Sequence, residues 1–414
     1  MEKYRVFSDE STGVHPFIPV AYMKAQLSPP SSLAVRVCSL SVSLVAFVCK
    51  TILVGARLLL LFFSAFLAAL TQQFLLIFLP FPYMHWLLSL WLMALPARLA
   101  LFALGVWNVD EQAADFRRLK IRAPPPNAPS PWSAFLSLPA APVVSFRPVG
   151  VSSSDAKKIR SCRVCLASFT GLVEPLYLAY RLAPRFALVH EHGGFSFCSI
   201  WDFLKFSLQF RLAPGQGTYR TLSALLLAHE KSSTACMPVV IFPEGQKSNG
   251  TCILQWTAAA GVAGGDGRND TAGFDAAALQ LLDGRVAEVG CIYTAIAGAG
   301  TGKEPRAAVP YGPPHTVHPP MHHLRLLLST ARHGVAFVWA APSAVQASVQ
   351  QQLQSLGGAG ASASASQILS SLREVMTRML PGLTAVKSKG GKDLCKFNEY
   401  WEKTQQEQYL KNNR

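Results

Sequence analysis

Residues 58–79 read LLLLFFSAFLAALTQQFLLIFL without one charged side chain, and residues 84–107 follow with Arg98 as their one charge. A helix needs about 20 apolar residues to cross a bilayer, and both runs are long enough. The break between them, Pro80-Phe81-Pro82-Tyr83, predicts a helical hairpin that either crosses twice or dips in and returns. Either way its two ends lie on one side. The apolar stretch 33–54, interrupted by Arg36 and Lys50, reads as a third segment or an interfacial helix. The run begins too late and is too long for a secretory signal peptide. Arg36, Lys50 and Arg57 precede it, and Arg117, Arg118 and Lys120 follow, which places both flanks in the cytosol. Tyr83, Trp86, Trp91 and Trp107 have the chemistry of interface anchors.

Composition agrees. Only 15 % of the 414 residues are charged, 50 % are hydrophobic and the mean hydropathy is +0.26. An average soluble domain carries roughly 25 % charge, so disorder, a coiled coil and a plain cytosolic globule are excluded. The net charge of +15 fits an anionic membrane surface, and with no nucleic-acid motif the sequence implies no nucleic-acid partner. The nine cysteines do not make a disulfide scaffold. Cys162 and Cys165 form a CxxC without a second ligand pair, so they read as buried thiols on a strand and no metal is expected.

The chain divides into a cytosolic segment 1–32, a membrane hairpin 33–109, a Pro-rich linker 110–142, an α/β domain 143–345, and a final stretch 346–414 of low-complexity loop, helix and basic tail. The tail reads as soluble and as a contact for an anionic surface. In the α/β domain, strands are expected at 163–168, 186–189, 237–242, 291–296 and 335–340. Helices are expected at 174–182, 200–212, 219–231 and 367–379, and this alternation predicts a mixed, mostly parallel sheet. Residues 257–277 and 357–366 read as loops.

One motif carries chemistry. Phe242-Pro243-Glu244-Gly245-Gln246-Lys247-Ser248 follows a buried apolar strand. A glycine there permits an unusual backbone and close approach of a ligand, and a cation two residues later can meet a phosphate. The stretch resembles FPEGTRSxG, the phosphate-site motif of the glycerolipid (lysophosphatidic acid) acyltransferases, with Lys247 where the family usually has Arg. The family's His-x4-Asp loop has its counterpart at residues 168–176, where Phe169 stands at the His position and Glu174 at the Asp position. The missing base leaves Glu174, His190 and His192 as candidates to take the proton. Arg220, in the Gly215–Arg220 stretch, stands where a second phosphate contact is expected.

The opening MEKYRVFSDESTGVHPFIP, the ALGVWNV after the hairpin, LPGLTAVKSK and FNEYW also look like a fungal-type branch of that family. The resemblance implies an acyltransferase-like α/β fold and a membrane-bound enzyme that converts lysophosphatidic acid to phosphatidic acid. Acyl-CoA would be its co-substrate, and no cofactor is implied. Phe242, Pro243, Glu244, Gly245, Lys247, Ser248 and Arg220 would bind substrate, and Glu174 and His190 would be catalytic. Residence in the endoplasmic reticulum membrane and on lipid droplets is implied too, with the domain in the cytosol. The sequons at Asn249 and Asn269 are therefore expected to stay unmodified. Two other classes fit the same residues: a non-catalytic phospholipid-binding member of the fold, and a membrane anchor carrying a partner-binding domain.

Overall fold

The computed structural model describes residues 2–12, 14–18, 34–107, 109–114, 162–191, 193–208, 213–248, 250, 252–256, 289–297, 320–329, 333–356, 365–379 and 383–412. The linker beyond residue 114, the 257–277 loop, His192, Asn249 and Asn269 lie outside them.

The early apolar stretch is not a separate segment. One helix, α1, runs Ala34–Leu75, followed by a short 3-10 turn Leu76–Phe78. The return limb is two helices, α2 Pro82–Leu92 and α3 Ala94–Ala103, which meet at Met93. Pro96, three residues on, is the physical reason: it has no N–H to donate to the preceding turn, so it is tolerated only near the start of a new helix. The stretches Val48–Phe78 and Pro82–Ala103 are long and apolar enough to cross a membrane.

The sheet has seven strands in the order β1-β8-β7-β2-β5-β3-β4. They are β1 Val109–Ala113, β2 Val164–Ala167, β3 Arg185–Val189, β4 Phe195–Cys198, β5 Val239–Ile241, β7 Val289–Ala297 and β8 Gly334–Ala340. Strands β2, β3, β5 and β7 are parallel where they pair, β1 is parallel to β8, and the β7–β8 and β3–β4 pairs are antiparallel. The expected mixed, mostly parallel α/β sheet is therefore present. A separate parallel pair joins β6 Cys252–Gln255 to β9 Thr384–Gly390. The helices of the domain are α4 Val173–Leu182, α5 Ile200–Ser207, α6 Leu222–Glu230, α7 Pro320–Ser329, α8 Pro342–Leu356, α9 Ala365–Arg378 and α10 Gly391–Asn412. Cys162 and Cys165 are buried free thiols at the head of β2.

Two boundaries shift. The chain leaving the hairpin enters the sheet at once: Val109, expected as the hairpin's last residue, and residues 110–113, expected as linker, form edge strand β1 beside β8. The final stretch is no free tail either. Val345 and Val349 of α8 and Ile368, Leu372, Val375 and Met376 of α9 pack into the same core as β2, β5 and β7. Phe397 and Trp401 of α10 pack with Phe17 and Ile18 from the opposite terminus and with Leu254 of β6. The Phe17 and Phe397 ring centroids lie 5.6 Å apart.

The hairpin lies along the domain. Leu59, Phe62, Phe66, Leu70 and Phe74 recur at three- and four-residue steps and form one exposed apolar face of α1. The opposite face meets protein. Arg57 donates to the Leu328 carbonyl of α7 at 2.8 Å, and Gln72 accepts the Trp201 indole N–H of α5 at 2.9 Å. At 1.5 Å rise per residue, these anchors stand about 22 Å apart along the helix. Leu101 and Leu104 of the return limb sit in one core cluster with Leu172, Leu176 and Phe337.

Candidate functional site

In a parallel sheet the loops after each strand gather at its carboxyl edge, which is where such folds place chemistry. The loops after β2, β5 and β3 bring residues 168–174, 242–248 and 190 to that edge. The sequence motif and the candidate bases therefore share one edge, but they do not form one cluster.

Between β2 and α4, the Glu174 carboxylate folds back on its own loop. It accepts the Thr170 hydroxyl proton and, at 3.0 Å, the Gly171 N–H. A carboxylate in the first turn of a helix is favoured by the helix dipole. Burial nevertheless raises its pKa above the usual carboxylate range, with the Thr170 and Gly171 hydrogen bonds opposing. Phe169 occupies no ligand space. Its ring is buried among Phe203, Phe206 and Phe242, with centroids 5.5, 6.2 and 4.9 Å away.

After β5 the chain turns at Phe242-Pro243-Glu244-Gly245. Gly245 has φ +65°, the left-handed region that favours glycine, and its N–H closes the turn on the Phe242 carbonyl at 3.0 Å. The whole motif is buried. The Ser248 N–H donates to the Phe169 carbonyl at 2.9 Å, tying the two loops together. Glu244 Oε1 accepts the Leu254 N–H of β6 at 3.1 Å. Burial pushes its carboxyl up to about 8, while the Leu254 N–H and the Arg373 charge pull the other way and the Glu174 charge adds to the rise. Tyr293 of β7 stands beside both carboxylates and donates its phenol proton to the Gly250 carbonyl at 2.8 Å.

Lys247 is 0 % exposed, and its ammonium donates to the Ser207 carbonyl at the end of α5 at 2.5 Å. Burial drives its pKa well below the usual lysine value. In this conformation the predicted phosphate cation is sealed into the fold. Arg220 is exposed in the turn before α6. That turn is fixed by a close crossing of backbones: a Cβ on Gly217 would meet the Phe195 nitrogen at 2.3 Å. His190 makes two hydrogen bonds, between Nδ1 and the Pro214 carbonyl at 3.0 Å and between Nε2 and the Ser196 hydroxyl at 2.6 Å. Two strand spacings separate it from the β2 loop, about 10 Å, so His190 and Glu174 do not meet.

Sequence reasoning missed Thr170, Tyr293 and Arg373. Arg373 comes from α9 and holds the Leu254 carbonyl at 3.1 Å and the Ile253 carbonyl at 3.0 Å, which fixes the strand that supports Glu244. Thr170 lies within the 168–176 loop but at no position the motif marks, and Tyr293 and Arg373 stand in no local motif. Tyr293 and Arg373 belong to the site because distant elements meet there, whereas Thr170 joins it through its own loop.

An apolar cavity of about 320 Å³ adjoins the β2–α4 loop. Leu172, Leu176 and Ala179 of the loop and α4 form one wall, and Leu58, Leu61 and Ala65 of the hairpin form the other. Compared with protein-family models, with curated proteins and with solved structures, the chain has no significant match in any of the three.

Proposed function

We propose that the chain is a membrane-bound acyltransferase that moves a fatty acyl group from acyl-CoA to the free hydroxyl of lysophosphatidic acid, giving phosphatidic acid. The observation that carries this reading is the junction of the two sequence motifs, where the Ser248 N–H meets the Phe169 carbonyl at 2.9 Å and each loop carries a buried carboxyl, Glu174 and Glu244. A general base works best with a pKa near the operating pH, and this pair supplies one where the family's histidine is replaced by Phe169. In the reaction the acceptor oxygen attacks the thioester carbonyl carbon and its proton passes to the carboxylate. The carbon–sulfur bond then breaks, and the coenzyme A thiolate takes a proton as it leaves. The apolar cavity beside Leu172 is sized for part of an acyl chain, within the ordinary range of ligand cavities.

The exposed face of α1 supports a membrane setting. The domain flanks the hairpin over about 22 Å of its length, which supports a hairpin lying in one leaflet, an arrangement that suits the cytosolic face of the endoplasmic reticulum and the monolayer of a lipid droplet.

A second reading, a phospholipid-binding member of the same fold that performs no transfer, is favoured by Lys247, which the fold buries against the Ser207 carbonyl. One experiment separates the two. The full chain is placed in membranes lacking their own activity, and labelled oleoyl-CoA incorporation into phosphatidic acid is followed for wild type and Glu244→Gln. The acyltransferase reading expects activity that the substitution abolishes. Incorporation no higher than background in the wild type selects the second reading.

A further inference from the structure

The motif site is closed, but a cleft of about 520 Å³ opens at the other end of the sheet, between the hairpin and the start of β3. Gln72, His85 and Ser89 line it from the hairpin, and Arg185, Phe197 and Thr234 line it from the domain. Arg185 is the first residue of β3 and His190 follows its last, so the cleft stands about 13 Å or more from the carboxyl edge.

Three observations give this cleft a ligand chemistry. The first is Arg185. Its Nη1 donates to Thr234 Oγ1 at 2.9 Å and to Ser232 Oγ at 3.4 Å, and the guanidinium lies 4.0 Å from the Phe197 ring centroid. These partners are all neutral. Nε and Nη2 donate to nothing among the described residues, which leaves open the fork that matches a phosphate. The one carboxylate in the lining, Asp202, accepts from the Ser199 hydroxyl at 2.7 Å and lies 3.9 Å from Lys205.

The second is His85, on the hairpin. It is 9 % exposed, and its Nδ1 has no hydrogen-bond partner among the described residues. A buried polar group of this kind in an otherwise apolar helix calls for a reason. The third is continuity. Met93, Ala179 and Ile200 line both this cleft and the apolar 320 Å³ cavity, so the polar space adjoins an apolar one along α4.

We infer that cleft and cavity together form a site for one anionic phospholipid, with its phosphate on the free edge of Arg185 and an acyl chain along α4. The hairpin wall commits the site to a lipid drawn sideways from the leaflet and not to a soluble phosphate. The phosphate end of this site, on Arg185, shares no residue with the motif chemistry, whereas the apolar cavity is the one proposed above for an acyl chain; the Arg185 variants therefore test the inference apart from acyl transfer.

The test uses the full chain, purified and delipidated in neutral detergent. Native mass spectrometry then follows titration with dioleoyl phosphatidic acid, dioleoyl phosphatidylcholine or inorganic phosphate. The wild type is expected to hold one phosphatidic acid, at least tenfold more tightly than phosphatidylcholine, and millimolar inorganic phosphate should not displace it. Arg185→Gln should weaken binding at least tenfold. Arg185→Lys keeps the charge and the stem over Phe197 but loses the fork, and should fall between, about threefold weaker. If Arg185→Gln fails to fold, the lysine variant decides alone. Binding unchanged in the variants, equal binding of phosphatidylcholine, or displacement by inorganic phosphate would each overturn the inference.

Discussion

The two ends of the sheet differ in kind. At the carboxyl edge, the residues that form a motif in the sequence are buried in this conformation, with Lys247 against a carbonyl and Phe169 in an aromatic cluster. At the amino edge of β3, residues that form no motif line an open cleft. A motif marks where a backbone is specified, whereas open, unbalanced charge marks where a ligand can enter. In this chain the two are separated by the length of a strand.

The largest effect expected from this contrast is on stability. Phe242 is buried among aromatic rings at the motif, so Phe242→Ala should cost about 3–5 kcal/mol, read as a lowered melting temperature or denaturant midpoint. A loss below about 1 kcal/mol would mean that the motif is looser than its packing implies.

Next comes the pH dependence of Glu244. The fold favours its neutral form, so its contribution is fully present below the ordinary value of 4.5 and is lost as pH rises toward about 8. The slope approaches about 1.4 kcal/mol per pH unit at most. Lys247 has the opposite sign, because its lowered pKa relieves a cost as pH rises. The comparison to make is therefore between wild type and Glu244→Gln. Melting temperature between pH 5 and 8 should fall more steeply in the wild type, and parallel curves would refute the burial of that carboxyl.

A smaller loss is expected at the support. Arg373→Gln removes hydrogen bonds to the Ile253 and Leu254 carbonyls and should cost about 1–3 kcal/mol, lowering transfer activity through the displaced β6. The smallest effect belongs to the outer hairpin. Phe66→Ser on the exposed face of α1 should change stability by less than about 0.5 kcal/mol. It should nevertheless reduce recovery with floated liposomes, and unchanged flotation would remove that face from the membrane.

Much of the fold is legible in the residues themselves. The strand–helix alternation from residue 163 to 242 follows local apolar periodicity, and its elements stand close to their expected places. What local pattern hides is pairing. Residues 110–113 read as polar linker because an edge strand such as VDEQA needs no apolar run. Strand β4, in FSFC, merges into the preceding glycine turn. The tail sequence TAVKSKG becomes a strand only because β6, more than a hundred residues earlier, offers it an edge. The same holds at the site. The loops carrying Glu174 and Glu244 are visible in the sequence, but the partners that surround them, β6 held by Arg373 and Tyr293 of β7, come from distant parts of the chain.

The most direct test of the account is the pH profile of acyl transfer by the full chain in membranes, with labelled oleoyl-CoA and lysophosphatidic acid, for wild type and Glu244→Gln. The account predicts a rate that climbs through a limb near pH 8 as the buried carboxyl gives up its proton, and no rate in the glutamine variant while it remains folded. A wild-type profile flat from pH 6 to 9, or a glutamine variant that transfers as fast as the wild type, would contradict it.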